Sequence, residues 1–186
     1  MGRDKATLPV GGIPAATRAA RLLASLFDEV LLVGGTPPPD APGRLVPDVE
    51  GPRCALRGLV SALEASDAPR VLVVATDLPL LTADLVLALV AWPEADAVVP
   101  RSADGAHPLC ALYARDAVLP PARASLACGR LAISGLLAEV ETVWLEGPDL
   151  ARVDPDGLAL FDANRPGDLA RAEALLAIPS RPATAR

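Results

Sequence analysis

The chain has 186 residues, of which 52% are hydrophobic and 22% charged. That is enough to bury a core in one domain and too apolar for a disordered polyampholyte. Aromatic residues make up only 3%, too few for the exposed rings that single-stranded nucleic acid stacks on, and a net charge of −6 opposes binding to a phosphate polymer. Of the 17 basic residues, 16 are arginine and one is Lys5. Asn164 and His107 are each the only residue of their type, and glutamine is absent. In so arginine-biased a chain, a lone lysine is a candidate for a site that needs a compact ammonium, although its survival by chance is the plain alternative.

The pattern predicts elements in alternation. Ala15 to Phe27 carries apolar residues at helical spacing, and Asp28 to Val33 reads as a buried strand. A proline- and glycine-rich loop over Gly34 to Gly43 leads to a short strand at Leu45 and Val46, then a helix from Cys54 to Ala65. Arg70 to Ala75, nearly all Val and Leu, is the clearest strand and is expected to be central, parallel and covered on both faces. Thr82 is a suitable N-cap for a helix to about Trp92. Strands are expected at Ala95 to Pro100 and Leu109 to Tyr113, followed by helices near Ala114 to Ala127 and Leu131 to Ala138. Two further strands, Glu141 to Leu145 and Leu158 to Phe161, precede a helix from Pro166 to Ala177, with the proline at its first position.

This alternation predicts a single α/β domain over residues 1–177 with a three-layer build, a mostly parallel sheet and a flexible tail at 178–186. The longest apolar run, Leu85 to Trp92, is far short of a membrane span, and the N-terminus lacks the apolar core of a signal peptide. Cys54, Cys110 and Cys128 have no metal-site or disulfide spacing and read as small buried thiols. A cytoplasmic protein with neither membrane nor nucleic acid as partner is expected.

In open α/β sheets ligands collect beyond the carboxyl ends of strands, which singles out Gly34, Asp48, Asp77, Arg101 and Asp162. Asp77 closes the strand Arg70 to Ala75 and precedes Leu78-Pro79. There it could hold a hydrated Mg²⁺ bridging phosphates, or it could accept backbone N–H groups in the turn before Thr82. Asp48 has a similar place before Gly51-Pro52, and a turn carboxylate is its alternative reading. Lys5 lies in a segment with glycines on both sides and suits a triphosphate, where an ammonium offsets charge on a leaving pyrophosphate. His107, before Pro108, reads as structural; no Ser-His-Asp arrangement and no Walker A loop is present.

Four segments, MGRDKATLPVGG, TDLPLLT, HPLCALY and FDANRPGDL, resemble in order and spacing the molybdenum cofactor guanylyltransferases (MobA-like), a branch of the Rossmann-like nucleotidyltransferases. The resemblance spans residues 1 to about 177. It implies an Mg²⁺-dependent reaction in which a terminal phosphate of molybdopterin or Mo-molybdopterin attacks the α-phosphate of GTP and pyrophosphate leaves. By the same resemblance Lys5 binds the triphosphate, Asp77 binds Mg²⁺ and nucleotide phosphates, and Asp48 contacts the nucleotide. Asn164 and Pro166 match an NxNTP-like segment facing the pterin. Other proteins of the cofactor pathway are implied as partners.

The chain departs from the family at three places. In the family a strand and a glycine-rich turn of the type LAGGxSxRMG run into the MGxDK motif, whereas this sequence begins at that Met. The expectation is that the sequence starts late and lacks a central strand and a phosphate loop. Asp162 and Arg165 replace Asn and Thr in the NxNTP-like segment, and Gly34-Gly35 stand where an Asn often contacts the base. These leave open a cytidylyltransferase or another small-metabolite nucleotidyltransferase. A non-catalytic relative that carries pterin or docks onto a pathway protein is the reading from a different class.

Overall fold

The computed structural model describes residues 9–163 and 166–176. Strands β1 (Pro9–Val10) and β2 (Ile13–Pro14) form a hairpin whose turn residues, Gly11 and Gly12, have φ of +61° and +78°. Two consecutive positive-φ residues match the twist of tight hairpins, and glycine reaches that region without a Cβ clash. Then follow α1 (Ala15–Ala24), β3 (Leu31–Val33), β4 (Arg44–Val46), α2 (Ala55–Ala65), β5 (Arg70–Val74) and α3 (Ala83–Val90). The rest comprises β6 (Ala97–Ser102), β7 (Gly105–Ala106), β8 (Cys110–Ala114), α4 (Arg115–Ala127), α5 (Ile133–Leu137), β9 (Thr142–Leu145), α6 (Gly147–Val153) and α7 (Pro166–Leu176).

Strands β5, β8 and β6 lie side by side in that order, with β7 and β9 both against β6. The α/β class holds, but the ladder is mixed rather than mostly parallel. β8 runs antiparallel to both β5 and β6, and the parallel pairs are β6 with β9 and β3 with β4. After β6 the chain turns back through β7 and inserts β8 between β5 and β6. An apolar run such as Leu109 to Tyr113 carries no mark of the direction in which it will pair.

Side chains alternate across this sheet with the period of two that a pleat imposes. Val71, Ala97, Val99, Ala111 and Tyr113 join the cluster under α2, α4 and α5. Leu72, Val98, Cys110, Leu112 and Leu145 join a second cluster that includes Leu85 and Leu89 of α3 and Leu150 of α6. The three layers follow from that alternation.

Thr82 caps α3 as expected, its Oγ1 accepting from the Leu85 N–H at 3.4 Å. Arg70 serves the other end of α3, donating from Nη1 to the Val90 carbonyl at 3.2 Å and from Nη2 to that of Trp92 at 3.1 Å. A guanidinium there meets two carbonyls left open at the helix end.

Two expectations fail locally. Leu158 to Phe161 is not a strand: the Asp154 carboxylate accepts from the N–H groups of Leu158 (2.9 Å) and Ala159 (3.1 Å) and winds the segment into a turn. This local side-chain bonding outcompetes a ladder. β5 is covered on both faces, Val71 and Val73 by one core cluster and Leu72 and Val74 by the other, but among the described residues it is neither central nor parallel, pairing with β8 alone and antiparallel. The predicted tail at 178–186 lies outside the described residues. Among the described residues no helix is long and apolar enough to cross a membrane.

Candidate functional site

Asp77 stands three residues beyond β5, half-buried, and its backbone carbonyl accepts from the Ala163 N–H at 2.9 Å. That bond brings the segment before α7 to the carboxyl end of β5. Asp162 is thereby placed where it feels the Asp77 carboxylate. Partial burial raises the Asp162 pKa first, the negative charge of Asp77 raises it further, nearby His107 lowers it and Asp104 raises it. Two carboxylates held in one another's field repel, and a cation or a shared proton relieves them. Among the described residues the Asp77 side chain makes no hydrogen bond, so it does not serve as the acceptor of its own turn. Thr82 does the capping instead.

Asp48 lies beyond β4, paired with Arg57 of α2: Nη2 donates to Oδ2 at 2.7 Å, with both side chains mostly shielded. Gly34 follows β3 at φ +66°, and a Cβ built on it would fall 2.8 Å from the same Asp48 Oδ2. A side chain there would collide with the carboxylate, so glycine is what permits β3 and β4 to bring these loops together. Gly34, Asp77 and the strands β3 and β5 line one cleft of about 770 Å³. Asp48 and Asp162 do not line that cleft themselves: Asp48 packs against Gly34, which does, and Asp162 precedes Ala163, whose N–H bonds to Asp77.

The other residues singled out from sequence sort differently. His107 is built into the return from β6 to β8: its Nε2 lies 2.8 Å from Ser102 Oγ, its N–H donates to the Pro100 carbonyl and its carbonyl accepts from Cys110. Ser102 Oγ also accepts from the Asp104 N–H at 3.2 Å, so this hydroxyl fastens the turn. Arg101 stacks on Trp144, 3.6 Å from the ring centroid, and pairs with Glu146 at 3.4 Å. Only Cys110 is the buried thiol expected; burial, with the charges of Asp162 and Asp154 adding, pushes it up to about 12 and keeps it protonated. Cys54 is half-buried and Cys128 exposed, against the expectation for both. Lys5 and Asn164 lie outside the described residues, and of Pro166 only its place at the start of α7 is described.

One contributor is not legible in the sequence, and another is singled out there for a reason the structure does not bear out. Arg57 is nine positions from Asp48, a spacing with no local meaning until α2 folds back beside β4. Asp162 is marked only by its place after an expected strand that does not form, and its approach to Asp77 comes from the Ala163 bond. A donor set of two carboxylates suits a hard cation that draws its remaining ligands from water and phosphate. Among the described residues no group of three or more His, Cys, Asp or Glu could hold a metal ion.

Comparison with known proteins agrees with this geometry. The model of the MobA-like NTP transferase domain matches residues 1–142. A probable molybdenum cofactor guanylyltransferase of Chloroflexus aggregans is 36% identical over 167 residues, covering 86% of this chain and 79% of the relative. A molybdenum cofactor guanylyltransferase of Cereibacter sphaeroides is 31% identical, covering 94% and 89%. The fold is shared with the molybdopterin-guanine dinucleotide biosynthesis protein A of Archaeoglobus fulgidus (TM-score 0.71, 20% identity, 94% of this chain and 91% of the other). It is shared equally with the 2-C-methyl-D-erythritol 4-phosphate cytidylyltransferase of Thermus thermophilus (TM-score 0.71, 20% identity, 92% and 93%). Acidic residues beyond the strand ends, the α/β layering and the sequence match lead to one assignment: this chain belongs to the family of the MobA-like NTP transferase domain.

Proposed function

We propose that the chain transfers GMP from GTP to the terminal phosphate of molybdopterin, with Mg²⁺ and with release of pyrophosphate. The observation that carries this reading is one cleft lined by Gly34 and Asp77, with Asp48 against the first and Asp162 near the second, in a chain whose relatives bear guanylyltransferase names. A terminal phosphate oxygen of the pterin forms a bond to the α-phosphorus of GTP. The bond from that phosphorus to the oxygen bridging to the β-phosphate breaks, and the electron pair leaves with pyrophosphate.

Such a transfer needs alignment and charge neutralisation more than a protein nucleophile. Asp77 and Asp162 would hold the metal, which when bound supplies positive charge against the phosphates. Asp48, oriented by Arg57, is suited to hydroxyl or N–H groups of the nucleoside. Lys5 is assigned to the triphosphate and Asn164, ahead of α7, to the pterin. The buried Cys110 thiol takes no part.

The test is pyrophosphate release with Mo-molybdopterin, Mg²⁺ and each of GTP, CTP, ATP and UTP in turn. GTP is expected to turn over fastest and only with the metal. Faster turnover with CTP would replace guanylyl by cytidylyl transfer, and no release with any nucleotide would favour a pterin carrier.

A further inference from the structure

The hairpin β1–β2 is too small to hold itself. Each strand has two residues, and among the described residues the two pair only with each other. A two-stranded ladder of that size is not stable alone in water. One side of it is anchored, because β2 runs directly into α1, whose Ala15, Ala16, Ala19 and Ala20 are buried. The turn meets α7: the Gly11 N–H donates to Glu173 Oε1 at 3.3 Å, across 162 positions of the chain. Arg18 of α1 stands at the same corner, its Nη2 3.3 Å from where a Cβ on Gly11 would lie.

Helix α7 is in turn seated beside Asp77. Ala172, next to Glu173, is fully buried. The Arg171 guanidinium lies 5.2 Å from the centroid of the Phe161 ring, which clips the helix to the segment ahead of it. Just after Phe161, the Ala163 N–H donates to the Asp77 carbonyl at 2.9 Å. A continuous series of contacts thus leads from the carboxyl end of β5, through Ala163 and α7, to the turn of the hairpin.

We propose that Glu173 is a positioning residue for the nucleotide: through the Gly11 N–H it holds the hairpin, and the Lys5 segment that leads into it, in place relative to Asp77. In the transferase reading, on which this role rests, Lys5 meets the triphosphate and Asp77 the metal. Lys5 precedes Pro9 by four positions. A link of that length reaches at most about 14 Å, so fixing the hairpin bounds where the ammonium acts. Glu173 itself is exposed and acts through the hairpin, not on the substrate. The nucleotide end of the site depends on this bond, whereas the segment ahead of α7 keeps its own ties to Asp77 and Arg171.

Glu173→Ala and Glu173→Gln are compared with the parent chain in two measurements. Hydrogen exchange at the Gly11 amide, read by NMR, should quicken about threefold or more in Glu173→Ala and stay near the parent rate in Glu173→Gln, which keeps an acceptor. In steady-state pyrophosphate release, KM for GTP should rise about threefold to tenfold in Glu173→Ala and return toward the parent value in Glu173→Gln. KM for Mo-molybdopterin and Tm should not move. Unchanged Gly11 exchange in Glu173→Ala overturns the hold on the hairpin. Faster exchange with unchanged KM for GTP, or with both KM values and Tm shifted together, overturns the positioning role and leaves a structural tie. If the parent releases no pyrophosphate with any nucleotide, the transferase reading fails and the positioning role with it, while Gly11 exchange still decides whether Glu173 holds the hairpin.

Discussion

Two strand pairs built from equally apolar residues differ sharply in burial. Val98 and Val99 of β6 and Ala111 and Tyr113 of β8 are fully buried, whereas Leu31, Leu32 and Val33 of β3 and Leu72, Val73 and Val74 of β5 are only partly so. Composition does not separate them. The difference is neighbours: the β8–β6 centre is flanked by β5 and β9, while β3 and β5 each turn one edge to the cleft. A central strand is thus defined by what pairs with it as much as by its own side chains.

The largest expected effect tests this contrast directly. Leu112→Ala, in β8 at the closed centre, should cost about 2–5 kcal/mol, and Leu72→Ala, facing the same second core from β5, about 1 kcal/mol. Denaturant melts of both variants measure it, and equal losses would remove the distinction. Second, Asp77→Asn should lower Mg²⁺-dependent pyrophosphate release on the order of 10²-fold without lowering the melt, since its carboxylate makes no described hydrogen bond and losing its charge relieves Asp162. Third, Gly34→Ala forces a Cβ against Asp48 at positive φ and should cost about 1–3 kcal/mol, whereas Gly35→Ala, with φ +59° but open space, carries the conformational cost alone. Fourth, Arg57→Ala should cost about 1–2 kcal/mol and raise KM for the nucleotide more than it changes kcat.

The smallest effect is a pH dependence. The Asp162 pKa is raised in the folded chain, so the folded state binds its proton more tightly than the unfolded one, and stability falls as pH rises from the ordinary carboxylate value through the raised one. Asp162→Asn should therefore raise Tm at neutral pH in the absence of divalent metal. The gain should vanish below about pH 3.9, where both states are protonated. A gain that persists in acid would show that the ionised carboxylate, disfavoured by burial and then by Asp77, is not its source.

Much of the fold is legible because its signals are local. Thr82 as a cap, Pro166 at a helix start and the Val-rich run Arg70 to Val74 each depend on a few adjacent residues. Leu158 to Phe161 misleads for the same reason: its apolar run is local, but the Asp154 carboxylate that bends it lies outside the run. Asp48 and Asp77 stand out because strand ends punctuate sequence; Asp77 lines the cleft and Asp48 packs against Gly34, which also lines it. Arg57 does not, because its partner is set by the packing of α2.

The sequence by itself determined the layered class, through period-two and period-3.6 patterns that each residue reads from its immediate neighbours. It also determined the carboxylates that terminate β4 and β5. Only the tertiary structure decided the direction in which β8 inserts, the approach of Asp162 to Asp77, and that β3 and β5 each have a single strand partner among the described residues. Pairing joins residues far apart in the chain, and no local pattern records which edge a strand will meet.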